Sequence, residues 1–526
     1  MPKVLIADKM DKLAAEIFQN NGIEIDIKPG LSPEELAQIA GQYDGIAARS
    51  SAKITSDVIS ASLPRLKVIG RAGIGVDTID VPAATQAGVV VMNTPFGNSI
   101  TTAEHAIAMM FAIARQIPQA SESTHAGKWE KSKFMGVELY GKTLGIVGCG
   151  NIGSIVASRA LGLQMKVVAF DPYLTEDRAR EIGVEKAELE DVIKRADFIT
   201  LHTPLTESTR NLIDAAAIAK MKKGVRIINC ARGGLIDEKA LKEALDSGHV
   251  ASAALDVFEK EPATENVLFG HPNVVCTPHL GASTSEAQVN VAIQVAEQMS
   301  DFLLHGAVSN AVNMPSISSE EAPRLKPYMK LIEQLGSFAG QITGHAITKI
   351  EIEYQGAATE VNTKPLTALA LASILRHLFD GVNMVNAPQV AKSRGISVSE
   401  TKAPDATDLN TAVKLTVTTE ARTRSITGTL FAGKEPRVME IEGVPIEAAL
   451  TSHMLFIRNE DKPGMIGALG TLLSQSGQNI ADFRLGRVSS GGAAVALVAL
   501  DAPVSDDLFE KIKAIPQITQ GVRLKF

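Results

Sequence analysis

The stretch GKTLGIVGCGNIGSIVASRALG, residues 141–162, decides the fold. Thr143 to Val147 is short and apolar, as a buried strand is. GCGNIG at 148–153 follows at once, and Ser154 to Leu161 then continue as a helix. A strand, a glycine turn and a helix in that order form a dinucleotide-binding unit. Gly148 permits the tight turn, Gly150 lets the backbone approach a pyrophosphate, and Gly153 allows close helix–sheet contact. The helix N-terminus faces the phosphates. The next strand, 166–170, ends at Asp171, where a carboxylate reaches the ribose hydroxyls. A carboxylate there repels a 2′-phosphate, and no Arg follows at once to accommodate one. The predicted cofactor is NAD rather than NADP.

Outward from this unit, strand-like segments recur at 197–202, 225–230, 251–255 and 273–276, with helical patterns between them. Six strands predict a complete doubly wound parallel sheet. Upstream, 3–7, 23–27, 44–49, 66–70 and 88–92 alternate with helical segments in the same way, so a second parallel sheet precedes the first. A long Ala- and Met-rich helix, Thr102 to Ala114, joins the two, and a helix near 284–305 leads the chain back to the first. The expected division is a discontinuous unit of 1–98 and 284–315, with a cofactor unit, 99–283, inserted in it. Residues 313–327 carry three prolines and several Ser and Glu, a linker signal. Residues 316–450 mix helices (330–341, 366–379) with strands (346–354, 412–420, 423–431, 437–442). Residues 453–526 read β-α-β-β-α-β, a ferredoxin-like order. The predicted fold class is α/β: two Rossmann-like doubly wound domains, then an α+β domain and a ferredoxin-like one.

Composition narrows the function. A chain of 526 residues exceeds one hydrophobic core, since domains usually hold about 100–200. A net charge of -7 without a Lys/Arg run disfavours nucleic acid and anionic membrane as partners. No stretch approaches the ~18 apolar residues of a membrane-spanning helix, and no signal peptide is recognisable. Cys149, Cys230 and Cys276 are odd in number and far apart, which predicts a reducing, cytoplasmic setting and no disulfide framework. No metal-ligand spacing occurs, so no metal site is expected.

The chemistry concentrates in three segments that each follow a predicted strand, on the ligand-facing edge of the sheet. NCARGGLIDE, 229–238, offers Arg232, whose guanidinium suits bidentate binding of a carboxylate. LDVFEKEP, 255–262, offers Glu261, and TPHLGAST, 277–284, offers His279. Histidine suits taking a hydroxyl proton while hydride leaves carbon, and a carboxylate on the imidazole raises its pKa and fixes its orientation. The other histidines read as surface or core residues, and Cys276 as a buried thiol.

GRAGIGVD (70–77), MNTPFGNS (92–99), GKTLGIVGCGNIG (141–153), NCARGGLIDE (229–238), ALDVFEKEP (254–262) and TPHLGAST (277–284) together resemble the D-isomer-specific 2-hydroxyacid dehydrogenases. The remainder is similar to the long form of that family, with an intervening allosteric substrate-binding domain at 316–450 and an ACT regulatory domain at 453–526. NEDKPGMIG (459–467) and QNIADF (478–483) carry the ACT likeness. The resemblance implies NAD-dependent oxidation of 3-phosphoglycerate to 3-phosphohydroxypyruvate, the first step of L-serine synthesis, in a cytoplasmic homotetramer. It assigns Arg232 to the substrate carboxylate, and His279 with Glu261 to acid/base work. It puts Asn151 and Ile152 at the pyrophosphate and Asp171 at the adenosine ribose. Thr203, Cys230, Ala231, Arg232, Asp256, His279, Leu280, Gly281 and Ala282 complete the NAD pocket. Arg49, Ser50, Gly73 and Ile74 face the substrate; some members have Thr where Ile74 stands. Lys131 and Lys133, after Trp129, reach a neighbouring subunit's phosphate. Asn459, Asp461 and Asn479 bind L-serine as an effector, the last of them facing the first two across a pair of ACT domains.

Two other functions fit the same residues. One is another 2-hydroxyacid dehydrogenase, acting on lactate, glyoxylate or 2-hydroxyglutarate. The other is a corepressor-like scaffold that uses the fold to sense NAD(H), for which the charge balance offers no interaction tail.

Overall fold

The computed structural model describes residues 1–317, 321–404 and 409–526. Five short strands form the first sheet: β1 (Lys3–Ile6), β2 (Glu24–Ile27), β3 (Gly45–Ala48), β4 (Val68–Arg71) and β5 (Val90–Asn93), all but the edge strand β2 mostly apolar. All pair in parallel in the order β2-β1-β3-β4-β5. Strands covered on both faces read as continuous apolar runs, and β3 is buried at every residue. One cover is the helix Ser285–His305, started by Thr284, whose side chain accepts from the Ala287 N–H. Its Val291, Val295 and Met299 pack on Val4, Val68 and Met92. A Cβ at Gly70 would overlap Met299, so glycine there lets the helix close on the sheet.

The second sheet holds β6 (Thr143–Val147), β7 (Lys166–Phe170), β8 (Glu185–Lys186), β9 (Phe198–Leu201), β10 (Val225–Asn229), β11 (Val250–Leu255) and β12 (Val274–Cys276). Their order is β12-β11-β10-β9-β6-β7-β8. Six of these are the predicted strands. β8 is additional: only two exposed residues long, it has no apolar period to betray it and exists by pairing with β7. Strand order reverses between β6 and β9, which opens a crevice beyond their carboxyl ends. The helix Ser99–Arg115 spans from one sheet to the other and buries Ala103, Ala106, Met110 and Ile113 against the second.

The third sheet mixes directions: β13 (Ile347–Gly356), β14 (Ser397–Ala403), β15 (Thr411–Thr419), β16 (Thr423–Phe431), β17 (Glu435–Ile441) and β18 (Val444–Ala448), in the order β14-β13-β15-β16-β17-β18. β14, parallel to β13, and β18 are strands beyond the four expected. The linker reading of 313–327 needs correction in its second half, and its residues 318–320 lie outside the described residues. The helix Ala322–Ile342 already occupies 322–327, with Pro323 in its first turn, where a missing N–H costs nothing. Pro327 lies further inside that helix.

The fourth sheet, β19 (His453–Glu460), β20 (Ile480–Arg487), β21 (Ala493–Leu500) and β22 (Ile518–Lys525), is antiparallel in the ferredoxin-like order β20-β21-β19-β22. Helices Met465–Gln475 and Asp506–Lys513 cover one face. The other face joins the core of the third sheet through Met454, Phe456, Val495 and Leu497. Phe456 meets Phe338 edge-on at 5.4 Å between centroids. The last two sheets therefore share one core. Among the described residues no helix is long and apolar enough to cross a membrane.

Candidate active site

The glycine turn at the β6 end has the shape a dinucleotide needs. Gly148 sits at φ +93, where a Cβ would come within 2.6 Å of the His202 carbonyl oxygen. A Cβ at Gly153 would overlap the Gly148 carbonyl, whereas one at Gly150 would meet nothing. Gly150 thus leaves open backbone in front of the helix Asn151–Gly162, whose first turn has no side-chain cap. Uncapped N–H groups at Asn151, Ile152 and Gly153 suit a phosphate. Asp171 accepts from the Cys149 N–H at 2.9 Å and the Tyr173 N–H at 2.8 Å, which ties β7 to the turn. On the facing wall, Thr203 Oγ1 is buried without a hydrogen-bond partner among the described residues, an orphaned polar atom at the edge of the crevice. Neighbouring His202 is neutral, pushed down to about 4 by burial. The Cys230 thiol is pushed up by burial and then by Asp256, so it is no nucleophile. These residues fit NAD.

Glu261 and His279 meet as the sequence predicts. His279 Nδ1 lies 2.7 Å from Glu261 Oε2, and Glu261 Oε1 accepts the Phe258 N–H at 3.0 Å. The hydrogen bond to Glu261 raises the His279 pKa above its ordinary value, against the pull of burial. Burial pushes the Glu261 carboxyl up, but the bonds from His279 and the Phe258 N–H outweigh it, and the net shift is down. His279 holds φ +56, a left-handed conformation that a non-glycine residue adopts only when its surroundings impose it. Asp256 imposes it. This fully buried carboxylate accepts the Leu280 N–H at 2.7 Å, the Gly281 N–H at 2.8 Å and the Thr277 hydroxyl at 2.6 Å. His105, read from sequence as merely structural, supports it with Nε2 at 3.3 Å, and Thr102 donates to the Gly281 carbonyl at 2.8 Å. The loop from His279 to Ala282 is thereby fastened to the helix Ser99–Arg115.

Arg232 projects from the end of β10 toward the first sheet. Asn229 braces its turn, donating to the Arg232 carbonyl at 2.8 Å and accepting the Ala231 N–H at 3.0 Å. A Cβ at Gly233 would overlap the Phe258 carbonyl, so that glycine joins the Arg232 and Glu261 loops back to back. Arg232 Nε lies 3.1 Å from Asp77 Oδ2 of the first domain. Gly75 faces the same guanidinium, since a Cβ there would overlap it.

The first-domain wall carries the other predicted residues. Arg49 and Ser50 lie just past β3; buried Asp8 accepts the Arg49 N–H at 2.6 Å. Gly73, at φ +142, donates its N–H to Thr94 Oγ1 at 2.7 Å, and Asn93 donates to the Ile74 carbonyl at 2.7 Å. Sequence reasoning missed two groups here. Arg71 is held down to about 10, chiefly by burial, and its charge is felt alongside Asp8, Arg49, Arg232 and Asp77. Its Nε is buried without a partner among the described residues. Both Arg71 and Asp77 lie inside the GRAGIGVD motif, so the signal was present but was read only for its glycines.

The three residues expected to bind an effector are not gathered within one chain. Asn459 and Asp461 lie at the carboxyl end of β19, beside Ala493 and Ala494 of β21. Asn479 precedes β20 at the opposite end of the sheet, near Leu500, roughly 20 Å or more away by strand rise. Asp461 already accepts from Arg487 at 2.7 Å and from the Gly491 N–H at 3.0 Å. Asn479 donates to Asp501 at 2.8 Å. Lys131 and Lys133 lie on an exposed segment between Trp129 and Met135, which are 87% and 80% exposed.

Comparison with known proteins gives the family. Residues 107–281 match the D-isomer specific 2-hydroxyacid dehydrogenase NAD binding domain, and residues 324–442 match the D-3-phosphoglycerate dehydrogenase intervening domain. The chain is 44% identical to D-3-phosphoglycerate dehydrogenase of Synechocystis, over 100% of this chain and 95% of that protein. It is 42% identical to that of Bacillus subtilis, over 98% of each. A crystal structure of a glyoxylate reductase from Paecilomyes thermophila superposes with a TM-score of 0.55 at 33% identity, covering 59% of this chain and 97% of that one. The fold, the NAD-binding crevice and these full-length matches lead to one conclusion: the chain belongs to the D-3-phosphoglycerate dehydrogenase family of NAD-dependent D-isomer-specific 2-hydroxyacid dehydrogenases.

Proposed function

We propose that this protein oxidises 3-phospho-D-glycerate to 3-phosphohydroxypyruvate, with His279 as the base. The observation that carries the reading is the bond of 2.7 Å between His279 and Glu261, on the edge where Arg232 also stands. Bound NAD supplies the hydride acceptor. His279 Nε2 takes the substrate's C2 hydroxyl proton as the carbonyl forms, and Glu261 stabilises the imidazolium that results. Arg232 grips the carboxylate, and Asp77 aims its guanidinium. Arg49 and Arg71 add positive charge for the phosphate, beside Ser50, Gly73 and Ile74. In the reverse direction protonated His279 returns the proton to the oxo oxygen.

The unit boundaries 1–98 with 284–315, 99–283, 316–450 and 453–526 belong to the same reading, with the shared core making the last two one regulatory body. L-Serine is the effector, held by Asn459 and Asp461 of one chain and Asn479 of another. The opposite placement of these residues supports a site completed only by a second copy. The exposed Trp129 to Met135 segment, with Lys131 and Lys133, supports a further subunit contact, hence a tetramer. Three free cysteines are in keeping with a cytoplasmic setting.

The test is NADH oxidation with phosphohydroxypyruvate, glyoxylate, pyruvate and 2-oxoglutarate, each with and without serine. Phosphohydroxypyruvate is expected to show the highest kcat/KM, and serine to lower its rate. A higher kcat/KM for another oxo acid overturns the substrate assignment, and an unchanged rate with serine overturns the effector.

A further inference from the structure

A hollow of about 490 Å³, lined by none of the active-site residues, lies between the helix Thr363–Leu375, the helix Ala387–Ser393 and the edge strand β14. Its walls are apolar at Pro315, Leu371, Ile396 and Val398, and Lys364 and Lys392 stand over it. Val398 is left 38% exposed. Neither lysine ammonium has an ion-pair or hydrogen-bond partner among the described residues. Glu400 of β14 is engaged with hydroxyls: its two oxygens accept those of Thr363 and Thr367, each at 2.6 Å. Lys402 adds a third ammonium on the same strand. The local charge is positive, and it borders apolar surface.

A hollow within the ~300–1,000 Å³ range of ligand sites, with apolar walls and unpaired cations, suits one kind of molecule. An apolar body gains by covering the walls, and an anionic head gains by meeting the ammoniums. A wholly polar acid such as a phosphoglycerate would leave the walls uncovered. We propose that this hollow binds a small amphipathic carboxylate, a site distinct from both the active site and the ACT loops. Its position gives it consequence. Pro315 follows Asn313, whose side chain accepts the Val91 N–H at 2.9 Å and donates to the Val89 carbonyl at 2.8 Å. Just before the second helix, Asn383 donates to the Gly88 carbonyl at 2.9 Å, and Asn386 to the Gln86 carbonyl at 3.4 Å. The occupant therefore touches both segments that fasten the regulatory body to the first sheet.

The experiment is a calorimetric titration of the full-length protein, saturated with NADH, with 4-phenylbutyrate up to about 10 mM. The uncharged 4-phenylbutyramide is the control for charge. Wild type is expected to bind the acid at least about tenfold more tightly than the amide. The K364E/K392E double variant and the Val398→Asp variant are expected to weaken it by about tenfold or more, with unchanged melting temperature and NADH affinity. All three positions are exposed, so the fold tolerates them. Absence of binding to wild type overturns the proposal. So does equal binding of acid and amide, or binding that survives both variants.

Discussion

Glu261 and Asp461 occupy loops of the same design. Each follows a strand, accepts one backbone N–H and holds one basic side chain: His279 at 2.7 Å for Glu261, Arg487 at 2.7 Å for Asp461. Their chemistry differs because their partners differ. Histidine titrates near neutrality, so the Glu261 pair can take up and release a proton. Arginine keeps its charge, so the Asp461 pair is a fixed clamp that only a competing cation, such as an amino-acid ammonium, can replace. Asp171 is a third case. It accepts two backbone N–H groups and, among the described residues, pairs with no cation, which leaves its charge for a ligand. On the proposed function, similar local geometry serves proton transfer, cofactor choice and regulation, according to what the carboxylate is paired with.

The strongest way to break the comparison is to remove the titrating partner. His279→Ala is expected to lower kcat by roughly 100-fold or more, read from steady-state rates with phosphohydroxypyruvate. A variant that keeps the wild-type rate would end the acid/base role. Glu261→Gln comes next, at about tenfold in kcat, together with a displaced pH profile. Glu261 raises the His279 pKa, and oxidation needs the neutral imidazole, so the rate climbs as pH rises through that raised value. Without the carboxylate the acid limb moves to lower pH. In the reducing direction the protonated form is needed, so the alkaline limb moves to lower pH as well. An unmoved profile would mean that the pair does not govern the proton.

Asp171→Ala is expected to raise the KM for NAD by about tenfold while leaving that for NADP nearly unchanged. Equal use of NADPH by the wild type would contradict it. The smallest effect is expected at Arg487→Ala. Arg487 is 55% exposed, so its pair is partly screened, and freeing Asp461 is expected to change serine affinity by no more than about fivefold, upward. Calorimetry with serine reads it, and a loss of affinity would show that Arg487 itself holds the effector. Point variants serve better here than removal of 453–526, because truncation would uncover Phe338 and the rest of the shared core.

The sequence by itself determined the two parallel series, the glycine turn, the ferredoxin-like order and the trio of Arg232, Glu261 and His279. Each of these is written in neighbouring residues: a short apolar run, a turn, a helical period, a polar residue just past a strand. Tertiary structure alone decided what depends on distant partners. β8 exists only because β7 offers an edge. Arg232 meets Asp77 across 155 residues, and Arg71 becomes part of the same charged wall only when the two sheets close on one another. The fourth sheet's second face looks like an ordinary strand pattern until Phe456 finds Phe338. Asn479 looks close to Asp461 along the chain, yet the helix Met465–Gln475 between them runs back along the sheet, at about 1.5 Å per residue, and carries the chain to its opposite end.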